Sequence, residues 1–147
     1  MASNEIKIVI DRDTIKKYNS FYFSQYPTRR KEPIERPIHP SLNIWSTMTS
    51  LSRNGLKQKW REFTLWLIKD LHLESAAIKC FDVEVITYMP TRRRSDPDNF
   101  VPKFILDGLV EGGVIEDDDG KHMKHLVLST DYDKENPRTE ITIKELK

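Results

Sequence analysis

Between Leu56 and Leu71, apolar residues recur at steps of three and four: Leu56, Trp60, Phe63, Leu67 and Leu71. That spacing puts them on one face of a helix, which Ser52 or Asn54 is placed to cap. Residues 80–90 follow a different period. Phe81, Val83 and Val85 alternate with Asp82 and Glu84, as in a half-buried strand, and Pro90 ends the run. Residues 6–10 (IKIVI) also read as a strand. Residues 103–111 read as a second helix, stopped by Gly112 and Gly113. On it Val101, Ile105 and Leu109 share a face with Phe104 beside them, while Lys103, Asp107 and Glu111 form a polar stripe. The runs HLVLST and EITIKEL close the chain as two strands.

No period holds over residues 11–40. Pro27, Pro33, Pro37 and Pro40 break any regular helix there, so this stretch is expected to be an extended arm or loop. Its aromatics Tyr18, Phe21, Tyr22, Phe23 and Tyr26 are read as pinning the loop to the core, with stacking on bases beside Arg29, Arg30 and Lys31 as the alternative. The order strand, arm, helix, strand, helix, strand, strand predicts an α+β fold. It is a two-layer sandwich in which a small mixed sheet packs with two main helices. A chain of 147 residues is most simply one domain, with residues 1–37 as an N-terminal extension or arm.

Composition adds little until it is divided along the chain. The net charge is +1. Residues 1–103 carry 18 Lys/Arg against 12 Asp/Glu, whereas residues 104–147 carry 6 against 11. A basic part and an acidic part suit a protein that meets a polyanion on one side and a cation on another, although uneven surface charge gives the same numbers. Cys80 is the only cysteine. No disulfide can form within the chain, which fits a reducing cytoplasm, and Cys80 is expected to be a buried thiol. No apolar run approaches a membrane span, and the N-terminal MASNEIKIVID lacks the features of a secretory signal.

The stretch TRRRSDPDNFVPK, residues 91–103, sets Arg92, Arg93 and Arg94 beside Asp96 and Asp98 at a strand-to-helix junction. A second acidic run, Asp117, Asp118 and Asp119, follows the helix. That helix is about 15 Å long, so the two clusters meet only if the chain returns along it, as a strand antiparallel to the helix would do. Bunched carboxylates repel unless a cation joins them, and hard divalent ions take such oxygen donors. With a lysine and arginines nearby, these are the materials of metal-assisted phosphodiester hydrolysis. Taken alone, each cluster reads as a turn or a capping loop more readily than as a metal site. Lys103 and Asp107, four apart, are within ion-pairing reach. His122 and His125 form an H-x-x-H without nearby thiols, which does not point to zinc. Trp45, Trp60 and Trp66 are read as core residues.

The runs YMPTRRRSDPDN, LDGLVEGGVIEDD and TEITIKEL, in that order, resemble the RusA family of Holliday junction resolvases. PSLNIWS followed by a basic amphipathic helix is similar to that family's N-terminal segment. The resemblance covers residues 38–146 and is densest over residues 88–118. It implies a homodimeric endodeoxyribonuclease acting on four-way DNA junctions with Mg²⁺, for which Mn²⁺ can substitute, and cutting by paired symmetric nicks. It also implies Asp96, Asp98 and Asp118 as metal-holding catalytic carboxylates and Lys103 as the catalytic lysine. Asn99, Asp107 and Asp117 are supporting residues. Arg92, Arg93 and Arg94, together with Lys57, Lys59 and Arg61 of the basic helix, are expected to contact DNA phosphates. Two other readings stay open: a branched-DNA-binding protein of this fold without cleavage, and a nuclease for other branched DNA.

Overall fold

A computed structural model describes residues 4–146. The elements are β1 (Glu5–Ile10), α1 (Arg12–Gln25), α2 (Leu42–Ser46), α3 (Ser50–Asp70), β2 (Phe81–Met89), α4 (Lys103–Glu111), β3 (Met123–Tyr132) and β4 (Arg138–Glu145), with a 3-10 turn at Pro97–Phe100 before α4. The four strands form one mixed sheet in the order β1-β4-β2-β3. β4 runs antiparallel to both β1 and β2, while β2 and β3 are parallel. The fold is α+β, with helices layered on one face of the sheet.

The period-two residues of β2 explain which face that is. Phe81, Val83 and Val85 are buried, and so are Ile141 and Ile143 of β4 and Ile8 and Ile10 of β1. Against them pack Phe63, Leu67 and Ile68 of α3 and Phe104, Ile105 and Leu109 of α4. Trp60 is in this core, with Trp45 and Trp66 partly buried against it. Cys80 is half-buried just before β2. α3 begins earlier than its apolar stripe implies. Thr49, rather than Ser52 or Asn54, is its N-cap, accepting the Ser52 N–H at 3.2 Å.

The irregular arm expected over residues 11–40 is half helix. Asp11 and Thr14 form a reciprocal capping box that starts α1 directly after β1. Tyr18 then packs edge-on against Phe63 at 5.1 Å and against Trp66 at 5.2 Å. Tyr18 does pin the segment to the core, from one face of a helix, whereas Phe21 and Tyr26 are exposed. Only residues 26–41 are without regular structure, where the prolines lie. Ile34 and Ile38 anchor that stretch in the interior, and Thr139 donates to the Pro37 carbonyl at 2.9 Å.

A parallel β2–β3 pair needs a crossover. Here the chain leaves the C-terminal end of β2, passes through the 3-10 turn, and returns down α4 to the start of β3. That crossover presents residues 91–102 at one end of the pair and residues 112–122 at the other.

Candidate active site

Pro90 closes β2, and its successors turn outward as an exposed arginine run. The Pro97–Phe100 turn follows, with Asp96 as its N-cap residue and Asp98 inside it. Both carboxylates are exposed and point from the same short turn. Arg94 pairs with Asp96 at 3.2 Å. Two exposed side chains make this a weak pair, easily exchanged for another partner. Arg92 turns away and lies over the Tyr132 ring at 4.3 Å. Arg93 and Arg94 line a cavity of about 470 Å³ together with Asp96, Asn99, Arg36 and Asn43.

The shape of this turn is held from beneath. The Asn43 backbone N–H donates to the Asn99 side chain at 3.0 Å. Thr130 of β3 donates to the Ser95 carbonyl. His39, almost wholly buried, donates from Nε2 to the Phe100 carbonyl at 2.7 Å. Burial pushes the His39 imidazole down to about 4, and the Arg36 charge adds to the effect. The ring is therefore neutral at ordinary pH. Arg36, His39 and Asn43 all come from the stretch around PIHPSLN. Its signal is the pair of prolines, Pro37 and Pro40, bracketing Ile38 and His39, which fixes a backbone path rather than leaving a free loop.

Lys103 opens α4 and pairs with Asp107 at 3.3 Å, both partly exposed. Pro102, in the N-cap position, offers no side-chain cap, so the first turn of α4 leaves free N–H groups facing the same end of the sheet as Asp96 and Asp98. On α3, Lys57 and Lys59 are exposed, and Lys59 borders a second groove that Arg36 also lines. Arg61 is engaged: its guanidinium grips the Glu111 carboxylate at 2.6 Å and holds it below the usual carboxylate range.

Asp118 lies elsewhere. β3 does run antiparallel to α4, but it begins at Met123, beyond the acidic run. Asp117, Asp118 and Asp119 therefore stay where Glu116 bonds to the Ile78 carbonyl and Phe81 to that of His122. That is the start of β2, whose nine residues span roughly 26 Å. The chain thus brings Asp96 and Asp98 together and leaves Asp118 at the far end of the same strand pair. Among the described residues, the one group of three or more His, Cys, Asp or Glu side chains close enough to share an ion within a single chain is Asp117, Asp119 and His122. Asp119 Oδ1 lies 2.6 Å from His122 Nδ1, and this bond lowers the Asp119 pKa and raises that of His122. His125 pairs separately with Asp82 at 2.8 Å.

A family model described as "Endodeoxyribonuclease RusA" matches residues 2–144. The chain belongs to the RusA family. It is also similar to the crossover junction endodeoxyribonuclease rusA of Enterobacteria phage HK97, with 36% identity over 87 residues, covering 56% of this chain and 70% of that protein. The RusA match begins at residue 2, so it takes in β1 and α1 as well as the 3-10 turn and α4. RusA proteins are endodeoxyribonucleases, and this chain is one of them. No helix among the described residues is long and apolar enough to cross a membrane.

Proposed function

We propose that this RusA-family chain resolves four-way (Holliday) DNA junctions in the cytoplasm. It acts as a homodimer of single-domain subunits, with a divalent cation, by paired symmetric nicks. The observation that carries the reading is the pairing of Asp96 and Asp98 on one exposed turn. That turn stands at the mouth of a cavity lined by Arg36, Arg93 and Arg94.

The donor set fits a hard cation. Two carboxylates on one short turn, both open to solvent, suit Mg²⁺, with Mn²⁺ as a substitute. One chain supplies an incomplete set, because its own Asp118 stands at the other end of the β2–β3 pair. A second copy offering its Asp118 to this turn completes the set, and this supports the homodimer. A cation held there would acidify a water and neutralise charge on the scissile phosphate. Arg36, Arg93 and Arg94 orient the strand by its phosphates without reading sequence. Lys103, steered by Asp107, adds positive charge beside the phosphate. Asn99, fixed by Asn43, keeps the turn in shape, and Asp117 flanks Asp118. Lys57 and Lys59 extend the cationic track along α3.

A panel of labelled four-way junctions, forks, flaps and duplexes tests this. Paired nicks in the four-way junction, dependent on Mg²⁺ and abolished by a chelator, are expected. Asp98→Asn should retain junction binding and lose cleavage by about a hundredfold or more. Binding without nicks by the unaltered protein would sink the enzymatic reading. Preferred cutting of forks or flaps would replace the substrate.

A further inference from the structure

A third cleft, of about 490 Å³, opens between α1 and residues 32–38. It adjoins the cavity beside Asp96: Arg36 and Pro90 line both. One stripe of α1 faces it: Arg12, Lys16, Asn19 and Phe23, at steps of four, three and four. Glu32, Glu35 and Arg36 stand opposite. Asn19 is 8% exposed and holds the Ile34 carbonyl with its amide nitrogen at 3.0 Å. That bond fixes which end of the amide is oxygen. The oxygen has no hydrogen-bond partner and is closed off from solvent, so Asn19 serves to tie α1 to the opposite wall.

We propose that this cleft receives one unstacked base of the DNA strand whose phosphate lies at Asp96 and Asp98. The inference rests on the nuclease reading above and adds a base-binding subsite to it. The lining divides by chemistry. Arg12, Lys16 and Arg36 match the phosphates on either side of an extruded nucleotide. Phe23, with Pro90, offers an apolar surface for the base's π-face, and stacking of this kind tolerates any sequence. The carboxylates of Glu32 and Glu35 on its opposite wall are acceptors only. A base carrying an exocyclic amino group offers them an –NH2 donor, whereas thymine offers only its N3–H. A branched DNA has poorly stacked bases at its branch point, so extrusion there costs least. The shared wall of Arg36 and Pro90 sets the occupant next to the strand being cut, and this favours a nucleotide over a free small molecule.

The test uses a four-way junction with 2-aminopurine placed at successive positions around the branch point. The complex is formed with Ca²⁺ in place of Mg²⁺, and cleavage is measured in parallel with Mg²⁺. The unaltered protein should raise the emission several-fold at one position near the cut. Phe23→Ala, and Ser20→Leu, which fills the cleft from an exposed rim position, should each abolish that rise and weaken junction binding by about tenfold. Circular dichroism of both variants shows that they are folded. Cleavage by the unaltered protein with no position-specific rise, or a rise that both variants keep, overturns the base subsite while leaving the nuclease reading intact. A rise lost in the variants supports the subsite even if the unaltered protein does not cut, in which case it is the nuclease reading that falls. Absence of both a rise and cleavage overturns both.

Discussion

His39 shows how one side chain sets the shape of a site it does not enter. Its Nε2–H bond to the Phe100 carbonyl fixes the end of the turn that carries Asp98, and Nδ1 has no partner in the interior. Protonation would put an unsatisfied charge there, so burial holds the pKa at about 4, below the unfolded value of 6.5. In the window between those values the unfolded chain binds a proton that the folded chain does not. Stability therefore falls as pH drops from about 6.5 toward 4 and is fully present above that range. The loss between pH 7 and 4.5 is on the order of 2 kcal/mol from this group alone. His39→Gln keeps an N–H donor but does not titrate. Denaturant unfolding at the two pH values should show a pH-dependent loss smaller by about that amount in the variant. An equal loss in both proteins would mean that His39 is already protonated in the fold at pH 4.5.

At the scale of elements, the contact between α3 and α4 depends on an absent side chain. A Cβ on Gly108 would lie 2.7 Å from Cβ and Cγ2 of Thr64, whose hydroxyl is bonded to the Trp60 carbonyl. The helices would have to move apart, and through α4 the turn bearing Asp98 would move with them. Gly108→Ala should therefore destabilise by about 1–3 kcal/mol despite alanine's better helix propensity. Gly55, in the second turn of α3, has nothing within 4 Å, so Gly55→Ala should stabilise by roughly 0.5–1 kcal/mol. Thermal unfolding of the two variants should move in opposite directions. The bounds of α4 were legible from sequence because apolar periodicity and a terminal glycine pair agree, and Gly113 at φ +83° performs the stop. β2 was legible for the same reason, alternation closed by a proline. α1 was not. Its buried face rests on Ile15, Tyr18 and Asn19, too few and too mixed to stand out from polar neighbours, and its start is a capping box rather than an apolar run. In the site, the exposed turn with Asp96 and Asp98 could be read from the strand-proline-acid order. The placement of Asp118 could not, because it depends on β3 starting after the acidic run and pairing parallel to β2. Those are tertiary choices that local spacing does not encode.

For the whole molecule, the separation of Asp98 from Asp118 within a chain gives the proposed dimer a signature that a self-contained subunit cannot imitate. Suppose each site takes Asp96 and Asp98 from one copy and Asp118 from the other. In a mixed dimer of Asp98→Asn and Asp118→Asn chains, one site then receives both substitutions and the other receives neither. Two inactive proteins, mixed and allowed to exchange subunits, should regain cutting. With random exchange about half of the dimers are mixed, each with one of two sites intact, so nicking should recover to about a quarter of the unaltered rate. The product should change as well, since a dimer with a single live site nicks one strand of a four-way junction without the paired cut that separates it. If each site instead draws all its carboxylates from one chain, every site in the mixture carries one substitution and no activity returns. Gel analysis of nicked against fully resolved junction, over a range of mixing ratios, separates the two cases. A maximum at equal amounts is expected for the shared site and a flat zero for the self-contained one.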